Sequence, residues 1–298
     1  MRVFVTGATG FIGSAIVQEL RGAGHQVLGL ARSDAGAQSL AAAGAEVHRG
    51  SLEDLDSLRR GAAAVDGVIH TAFIHDFSDF AASVAADRLA IEAMAATLAG
   101  SGKPFIVSSG VLGLPPGRPG TEDDAPSAAF PRKSEAAGLA AAAQGVRAMV
   151  MRLSPSVHGD GDRGFMPALI KLAREKGFAI YVGEGKNRWP AVHRLDAAKL
   201  YLLALEKGAS GARFHGVADE GIPLRQIAEV IGRRLNVPAV SKTPEEAAEL
   251  LGFLGHVLAM DGAASNALTR ERLGWQPTHP GLIEDLEHGR YFENGSQK

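Results

Sequence analysis

The sequence predicts an α/β fold with a doubly wound parallel sheet, followed by a smaller mixed C-terminal region. Short apolar segments alternate with segments of helical periodicity, which is the pattern of repeated strand-helix units. The apolar segments are nearly continuous, as expected of parallel strands that are buried on both faces. The predicted strands are residues 2–5, 26–30, 45–48, 67–72, 104–108 and 148–153.

Helices are predicted between these strands. Ile12, Ile16 and Leu20 recur at helical spacing after the first strand. Beyond about Gly159 the strict alternation fades, and a mixed region begins in which Pro223 fits the first turn of a helix and Thr243-Pro-Glu-Glu246 fits a capping box. The other predicted elements are helices at 54–64, 80–98, 134–143, 166–176 and 196–207 and a strand at 213–217.

The composition narrows the classes of function. With 298 residues and 46% hydrophobic content, the chain can form a sizeable core. Its 31 basic and 33 acidic residues give no electrostatic footprint for nucleic acid or an anionic membrane, so we expect a small-molecule partner. The absence of cysteine excludes disulfides, zinc-thiolate sites and cysteine nucleophiles, and no metal site is predicted. No signal peptide or membrane span is evident, so we expect a cytoplasmic protein.

The strongest motif follows the first strand directly. The segment Thr6-Gly-Ala-Thr-Gly-Phe-Ile-Gly13 carries three glycines and opens an amphipathic helix. A dinucleotide pyrophosphate needs backbone N–H groups at a helix N-terminus, and side chains there would block its approach. Strand, turn and helix in this order favour a dinucleotide site over a ligand-free turn. The predicted binding residues are Thr6, Gly7, Thr9, Gly10, Phe11, Ile12 and Gly13.

The GxxGxxG spacing within TGATGFIG resembles the extended and atypical short-chain dehydrogenase/reductases, a superfamily that includes epimerases and dehydratases, and the resemblance covers nearly the whole chain. It implies a Rossmann domain over residues 1–159, completed by 191–217, and a substrate-binding region over 160–298. It also implies that cofactor contacts follow the third, fourth and fifth strands. By this resemblance the additional cofactor-binding residues are Ser51, Leu52, Thr71, Ala72, Phe73 and Ser108.

The end of the second strand predicts which cofactor is bound. An Asp or Glu there would hydrogen-bond the ribose 2′-hydroxyl of NAD, but the chain has Arg32 followed by Ser33. Arg32 can pair with a 2′-phosphate through charge-assisted hydrogen bonds, and Ser33 can add a donor. The sequence therefore predicts NADP(H), the alternative being that Arg32 is a solvated surface residue.

The catalytic pattern implied by the resemblance is broken. These enzymes use a Ser, together with a Tyr whose pKa is lowered by a Lys four residues later. Ser109 fits the Ser, but the chain has only Tyr181, Tyr201 and Tyr291, and none falls in the matching stretch. One frame places Ser127 and Pro131 at the Tyr and Lys positions, and another places Phe130 opposite the Tyr and Lys133 near the Lys.

Three functions remain open at this point. The favoured one is an NADPH-dependent reductase in which Ser109 orients a carbonyl, Lys133 supplies positive charge, and the proton comes from His75, His158 or water. The second is a regulator that binds NADP(H) without turnover. The third is a nucleotide-sugar epimerase or dehydratase, which also normally needs the missing Tyr.

The C-terminal region is expected to close over the nicotinamide and to set specificity. Its candidate pocket walls are apolar, which would suit a hydrophobic ketone or enone, although core packing is an alternative role for each of them. The resemblance also implies a homodimer through the helices at 80–98 and 134–143, which could equally cover the sheet in a monomer. The candidate walls are Phe165, Met166, Trp189, Phe253 and Met260.

Overall fold

The central layer of the protein is a parallel sheet, as predicted, and it has seven strands. The computed structural model describes residues 1–76, 78–115, 117–128 and 130–293. The strand order in the sheet is β10-β6-β5-β4-β1-β2-β3, so the order reverses between β1 and β4. These strands are β1 (Arg2–Thr6), β2 (Gln26–Ala31), β3 (Glu46–Arg49), β4 (Gly67–His70), β5 (Pro104–Gly110), β6 (Arg147–Leu153) and β10 (Arg213–Gly216).

Helices cover both faces of this sheet because its strands are apolar on both sides. One face packs against α1 and α7, and Ile106 and Met149 of the sheet join that core. The other face packs against α3, α4 and α5, and Val107 and Phe105 join the core on that side. The helices are α1 (Phe11–Gly22), α2 (Asp34–Ala42), α3 (Leu55–Ala63), α4 (Phe80–Leu98), α5 (Ser134–Ala140) and α7 (Arg194–Lys207).

The C-terminal residues form a smaller mixed region with its own core. A three-stranded sheet has the order β11-β9-β7, and a second sheet pairs β12 with β8. The predicted capping box at the start of α9 is present, since Glu246 N–H donates to Thr243 Oγ1 and Thr243 N–H donates to the Glu246 carboxylate. These elements are β7 (Ser156–His158), α6 (Phe165–Lys176), β8 (Ala179–Val182), β9 (Arg188–His193), β11 (Asp219–Pro223), α8 (Leu224–Leu235), β12 (Ala239–Lys242), α9 (Pro244–Leu251), α10 (Phe253–Leu258), α11 (Ala267–Leu273) and α12 (Leu282–His288).

Several boundaries differ by one to three residues from those predicted, and contacts in the structure explain two of these differences. Strand β4 ends at His70, two residues early, because Thr71 and Ala72 turn back to hydrogen-bond Thr6. Helix α5 ends at Ala140, three residues early, where the chain tightens before the left-handed Gly145. Within the described part of the chain, no helix combines the length and apolar character needed to span a bilayer.

Candidate active site

The glycine-rich turn lies at the reversal point of the sheet, between β1 and α1. Gly7 has a φ of +69°, a left-handed conformation that side chains disfavour. A Cβ on Gly7 would also lie 2.7 Å from Thr71 Oγ1 and 2.8 Å from the backbone nitrogen of Ala72. Gly7 is therefore required both by its backbone conformation and by the close approach of the segment after β4.

Gly13 allows helix α1 to sit directly against this turn. A Cβ on Gly13 would lie 2.0 Å from the Gly7 carbonyl oxygen, far inside van der Waals contact. Gly10 precedes the helix in an extended conformation, and no side chain caps the N-terminus. Thr9 and Gly10 are exposed, and Phe11 and Ile12 are partly exposed. This open, uncapped helix N-terminus fits a pyrophosphate group.

The end of β2 lies beside the turn. Arg32 is exposed, and Ser33 caps α2 by accepting a hydrogen bond of 3.2 Å from Gly36 N–H. A Cβ on Gly36 would lie 3.3 Å from Thr9 Cγ2, so α2 begins next to the glycine-rich turn. Arg32 is thus presented to solvent at the edge where a cofactor ribose would follow the pyrophosphate.

The turns after β3 and β4 place the remaining predicted cofactor contacts. Ser51 Oγ accepts a 3.3 Å hydrogen bond from Asp54 N–H, and Leu52 is buried in the core beneath α3 and α4. Thr71 Oγ1 donates to the Thr6 carbonyl at 2.8 Å, and Ala72 N–H donates to Thr6 Oγ1 at 3.3 Å. These bonds hold the end of β4 against the glycine-rich turn.

The two serines near the end of β5 point to opposite faces of the sheet, because side chains alternate along a strand. Ser108 points toward α7, where its hydroxyl bonds the His70 carbonyl at 2.7 Å and the buried Tyr201 hydroxyl at 2.6 Å. Burial raises the pKa of Tyr201 despite the hydrogen bond with Ser108 and the positive charge of Arg132. Ser109 points to the side of α4 and α5, so it is the serine on the face where the resemblance places the catalytic helix.

Two adjacent cations precede α5, and they point in different directions. Lys133 is exposed, and its ammonium donates to the carbonyls of Ala128 and Phe130 at 3.1 and 2.7 Å. Arg132 points toward the sheet: its Nη2 donates to the Ser108 carbonyl at 3.1 Å, and its guanidinium lies 4.3 Å from the centre of the Phe73 ring. Arg132 was not among the predicted site residues, because the family pattern directs attention to a lysine.

A chain of buried polar contacts links Arg132 to the glycine-rich turn. Arg132 Nε donates to Ser134 Oγ at 2.7 Å, and Ser134 Oγ donates to Asp87 in a short hydrogen bond. Asp87 also contacts His70 Nε2 at 3.2 Å, and His70 Nδ1 contacts Thr6 Oγ1 at 2.8 Å. We call Thr6, His70, Asp87, Ser134 and Arg132 the arginine network.

Asp87 is the anionic centre of the arginine network. Burial raises its pKa, but contacts with His70, the charge of Arg132 and the hydrogen bond from Ser134 outweigh burial and hold the pKa below its usual range. Since an ionised carboxylate only accepts hydrogen bonds, His70 Nε2 carries a proton. The network therefore holds a buried negative charge 3.8 Å from the Arg132 guanidinium.

His75 lies in the loop after β4, near Arg132. Its ring is 5.4 Å from that of Phe73 in an edge-on arrangement. Desolvation and the positive charge of Arg132 lower its pKa, against the opposing effect of a hydrogen bond with the Phe73 backbone. The structure therefore brings His75, Phe73 and Arg132 together at the carboxyl ends of β4 and β5.

His158 lies elsewhere, inside the C-terminal region. It is fully buried on β7, and its Nδ1 bonds the Asp285 carboxylate of α12 at 2.8 Å. Its Nε2 is buried without a hydrogen-bond partner among the described residues. The neighbouring ring of His193 is 5.4 Å away. The contacts of His158 are therefore with β9 and α12, not with the residues after β4 and β5.

An open cavity of about 320 Å³ adjoins this histidine cluster. Arg194 lies 5.1 Å from the centre of the Phe11 ring, so the cavity borders the start of α1. The residues that line it are Asp160, His193, Arg194, Leu195 and Asp285.

The predicted pocket walls separate into two groups. Met166 and Trp189 are fully buried and belong to the core of the C-terminal region, where the Phe165 ring packs 5.4 Å from Trp189 and Met260 accepts a 3.3 Å hydrogen bond from the indole. Phe253 instead reaches the Rossmann domain. Its ring lies 5.3 Å from that of Phe80, which lies 6.1 Å from Phe73. These three phenylalanines form an aromatic wall beside Arg132.

A parallel sheet with a glycine-rich turn at its reversal point defines the class as an NAD(P)-binding protein of the Rossmann type. Residues 3–216 match the model of the NAD dependent epimerase/dehydratase family. The chain belongs to this family, which confirms the resemblance to the extended short-chain dehydrogenase/reductases.

Several known proteins are similar to this chain. An uncharacterized protein of Schizosaccharomyces pombe is 50% identical over 98% of this chain and 100% of its own length. The 4-hydroxy-2-methyl-3-oxo-4-farnesyl-3,4-dihydroquinoline-1-oxide ketoreductase of Stigmatella aurantiaca is 29% identical over 87% of this chain and 80% of its own. A dTDP-glucose 4,6-dehydratase of Streptomyces venezuelae, solved with NAD bound, has a TM-score of 0.76 at 20% identity, covering 96% of both chains. The last comparison supports the fold alone.

Proposed function

We propose that this protein is an NADPH-dependent reductase that transfers hydride to a carbonyl, or to an activated double bond, of a small apolar substrate. The observation that carries the proposal is the group of residues that meet at the carboxyl ends of β4 and β5. There Ser109, Arg132 and the aromatic wall of Phe73, Phe80 and Phe253 lie beside a turn shaped for a dinucleotide. When bound, the reduced nicotinamide supplies the hydride.

The choice of NADP(H) over NAD(H) rests on Arg32. It is exposed at the end of β2 beside the glycine-rich turn, where the carboxylate of NAD-preferring enzymes would stand. A guanidinium there can pair with a 2′-phosphate in two parallel hydrogen bonds. The Ser33 hydroxyl accepts from Gly36 N–H and keeps its own proton for a second contact.

The aromatic wall supports an apolar substrate. Phenylalanine rings offer large apolar contact area and no hydrogen bonds to sugar hydroxyls. The ketoreductase of Stigmatella aurantiaca, named for a farnesylated quinoline, is consistent with this chemistry. A nucleotide sugar would bring charged phosphates and many hydroxyls to a wall that cannot pair with them.

Ser109 is proposed to orient the carbonyl oxygen, and His75 to supply the proton. The alternatives for the proton are His158, which the structure pairs with Asp285 in the other core, and a water molecule. Because the pKa of His75 is lowered, the imidazolium needed for proton donation becomes more populated as the pH falls below 6.5. We therefore expect kcat to rise in that range and His75→Gln to remove the rise.

The proposal is tested by NADPH oxidation against ketones, aldehydes and enones of increasing apolar size. Ser109→Ala is compared with Ser39→Ala, which removes an exposed hydroxyl on α2. Turnover that Ser109→Ala loses and Ser39→Ala keeps supports the reductase. Tight NADPH binding without oxidation across the panel would favour a non-catalytic sensor, and NAD(H) retained through purification would favour an epimerase or dehydratase.

A further inference from the structure

We propose that Arg132 is the residue that binds the developing oxyanion, in the place that the family's Tyr and Lys fill elsewhere. This inference rests on the proposed reductase function. As hydride adds to the carbonyl carbon, the π electron pair moves to the oxygen, which later takes a proton from His75 or water. A cation or hydrogen-bond donor aimed at that oxygen lowers the barrier, because the charge exists only in the transition state and after it.

Arg132 has the position for this role. Its Nη2 donates to the carbonyl of Ser108, the residue before Ser109, and its Cζ lies over the ring of Phe73, 4.3 Å from the ring centre. Its side chain is 20% exposed, so it is held by the protein and still reachable from solvent. The hydrogen bonds to described residues use Nε and Nη2 and leave the Nη1 amino group for a ligand.

The arginine network explains how a largely buried guanidinium is held in place. Burial lowers the pKa of Arg132, but the negative charge of Asp87 opposes this effect, and the side chain stays cationic. Ser134 fixes the orientation, since it accepts from Arg132 Nε and donates to Asp87. Asp87 is 3.8 Å from Nε, so it offsets the buried charge without occupying Nη1.

Lys133 lacks these features. Its ammonium is directed to the carbonyls of Ala128 and Phe130, away from Ser108, and its side chain is exposed. Of the two cations before α5, the structure therefore favours Arg132 for the positive charge that was predicted to come from Lys133. The proposed ligand is the carbonyl oxygen of an apolar substrate, or the carboxylate of an apolar acid that mimics the oxyanion.

The first test measures steady-state kinetics with a substrate found in the panel. Arg132→Met keeps an apolar side chain against Phe73 and removes the donor, so kcat should fall about 100- to 1,000-fold with little change in KM. Arg88→Met, which removes an exposed arginine on α4, should leave kcat unchanged. Guanidinium ion should restore part of the activity of Arg132→Ala. A kcat for Arg132→Met within twofold of wild type overturns the proposal.

Ser134 is a positioning residue in this account, and a double-mutant cycle tests it. Ser134→Ala should lower kcat less than Arg132→Met does, and the double variant should be no slower than Arg132→Met alone, because Ser134 acts through Arg132. If the double variant instead lost kcat by the product of the two single-variant factors, Ser134 would act independently of Arg132, and its positioning role would be contradicted.

A binding measurement separates this inference from the proposed function. Octanoate should bind the NADP⁺-loaded wild type in calorimetric titration, octanamide should bind more weakly, and Arg132→Met should lose at least tenfold in octanoate affinity while keeping its NADP⁺ affinity. If wild-type protein reduces a carbonyl but binds octanoate no more tightly than Arg132→Met does, the inference fails and the reductase proposal stands. If octanoate binding depends on Arg132 but no carbonyl is reduced, the anion site stands and the reductase fails.

Discussion

Replacing Gly13 by alanine should dismantle the phosphate-binding turn. The added carbon would lie 2.0 Å from the Gly7 carbonyl oxygen, whereas ordinary contact begins at 3.4 Å. Helix α1 and the turn would therefore have to separate by more than about 1 Å. The clash joins a Cβ, whose position the backbone fixes, to a backbone oxygen, so no side-chain rotation can relieve it. The same carbonyl accepts the 2.9 Å hydrogen bond from Gly10 N–H, which the separation would weaken.

Two contributions set the magnitude of this effect. Overpacking of a tight contact costs about 1–3 kcal/mol, and the weakened hydrogen bond about 1 kcal/mol more. We expect a loss of about 2–4 kcal/mol in the free energy of unfolding, measured by urea denaturation without cofactor. Loss of one or two charge-assisted contacts to the pyrophosphate should raise the Kd for NADPH about 100-fold, measured by fluorescence titration.

The matched control is Gly22→Ala at the other end of α1. A Cβ there meets nothing within 4 Å, and alanine is the better helix former. We expect unchanged NADPH affinity and up to about 1 kcal/mol of added stability. A Gly13→Ala variant as stable as wild type that binds NADPH within twofold of the wild-type Kd would refute the packing argument.

Three further predictions concern the cofactor edge and buried charges. Arg32→Ala should raise the NADPH Kd about 10- to 100-fold and leave the NADH Kd nearly unchanged in titrations at fixed ionic strength; equal losses for both would contradict the 2′-phosphate contact. Burial and the charges of His158 and His279 lower the pKa of His193 to about 4, so the unfolded chain binds its proton first as the pH falls. Neutral His193 therefore contributes at most about 3 kcal/mol to the free energy of unfolding above pH 6.5, and this contribution is lost as the pH falls toward 4. His193→Gln should flatten the dependence of the urea midpoint on pH in that range. Glu135→Gln leaves the fully buried Arg152 without its anionic partner and should cost about 3–5 kcal/mol in the free energy of unfolding, against less than about 1 kcal/mol for Glu287→Gln, which changes a partly exposed surface pair.

The sheet could be predicted because its determinants are local. Apolar strands, helical periodicity and the glycine positions are all visible within short windows of sequence, and the strand order follows from the rules for βα units. The same holds for the capping box at Thr243. The ends of β4 and α5 were misplaced because Thr6 and Gly145 act on them through contacts and turns that periodicity does not encode.

The active-site edge was harder to predict because distant residues decide it. Ser108 and Ser109 are adjacent and identical in the sequence, and it is the contact of Ser108 with Tyr201, 93 residues later, that shows Ser108 to be the one facing α7. Likewise, the path of the chain into α5 decides that Arg132 points inward while its neighbour points outward. Alternation along β5 was a signal that could have separated the two serines in advance.

His158 illustrates the same limit. It was predicted as one of the candidate proton donors, but its hydrogen-bond partner, Asp285, is 127 residues away in the sequence. An isolated histidine in a sequence does not reveal which carboxylate will neutralise or orient it.

The reductase proposal is tested most directly with NADPH that carries deuterium at the transferable position of the nicotinamide ring. Wild-type protein is incubated with the labelled cofactor and the carbonyl panel, and products are examined by mass spectrometry. We expect an alcohol with one deuterium on the former carbonyl carbon, or a saturated product labelled once at the reduced double bond, and we expect that product to be lost in Arg132→Met. Complete retention of the label in NADPH, with every carbonyl recovered unchanged, would contradict it.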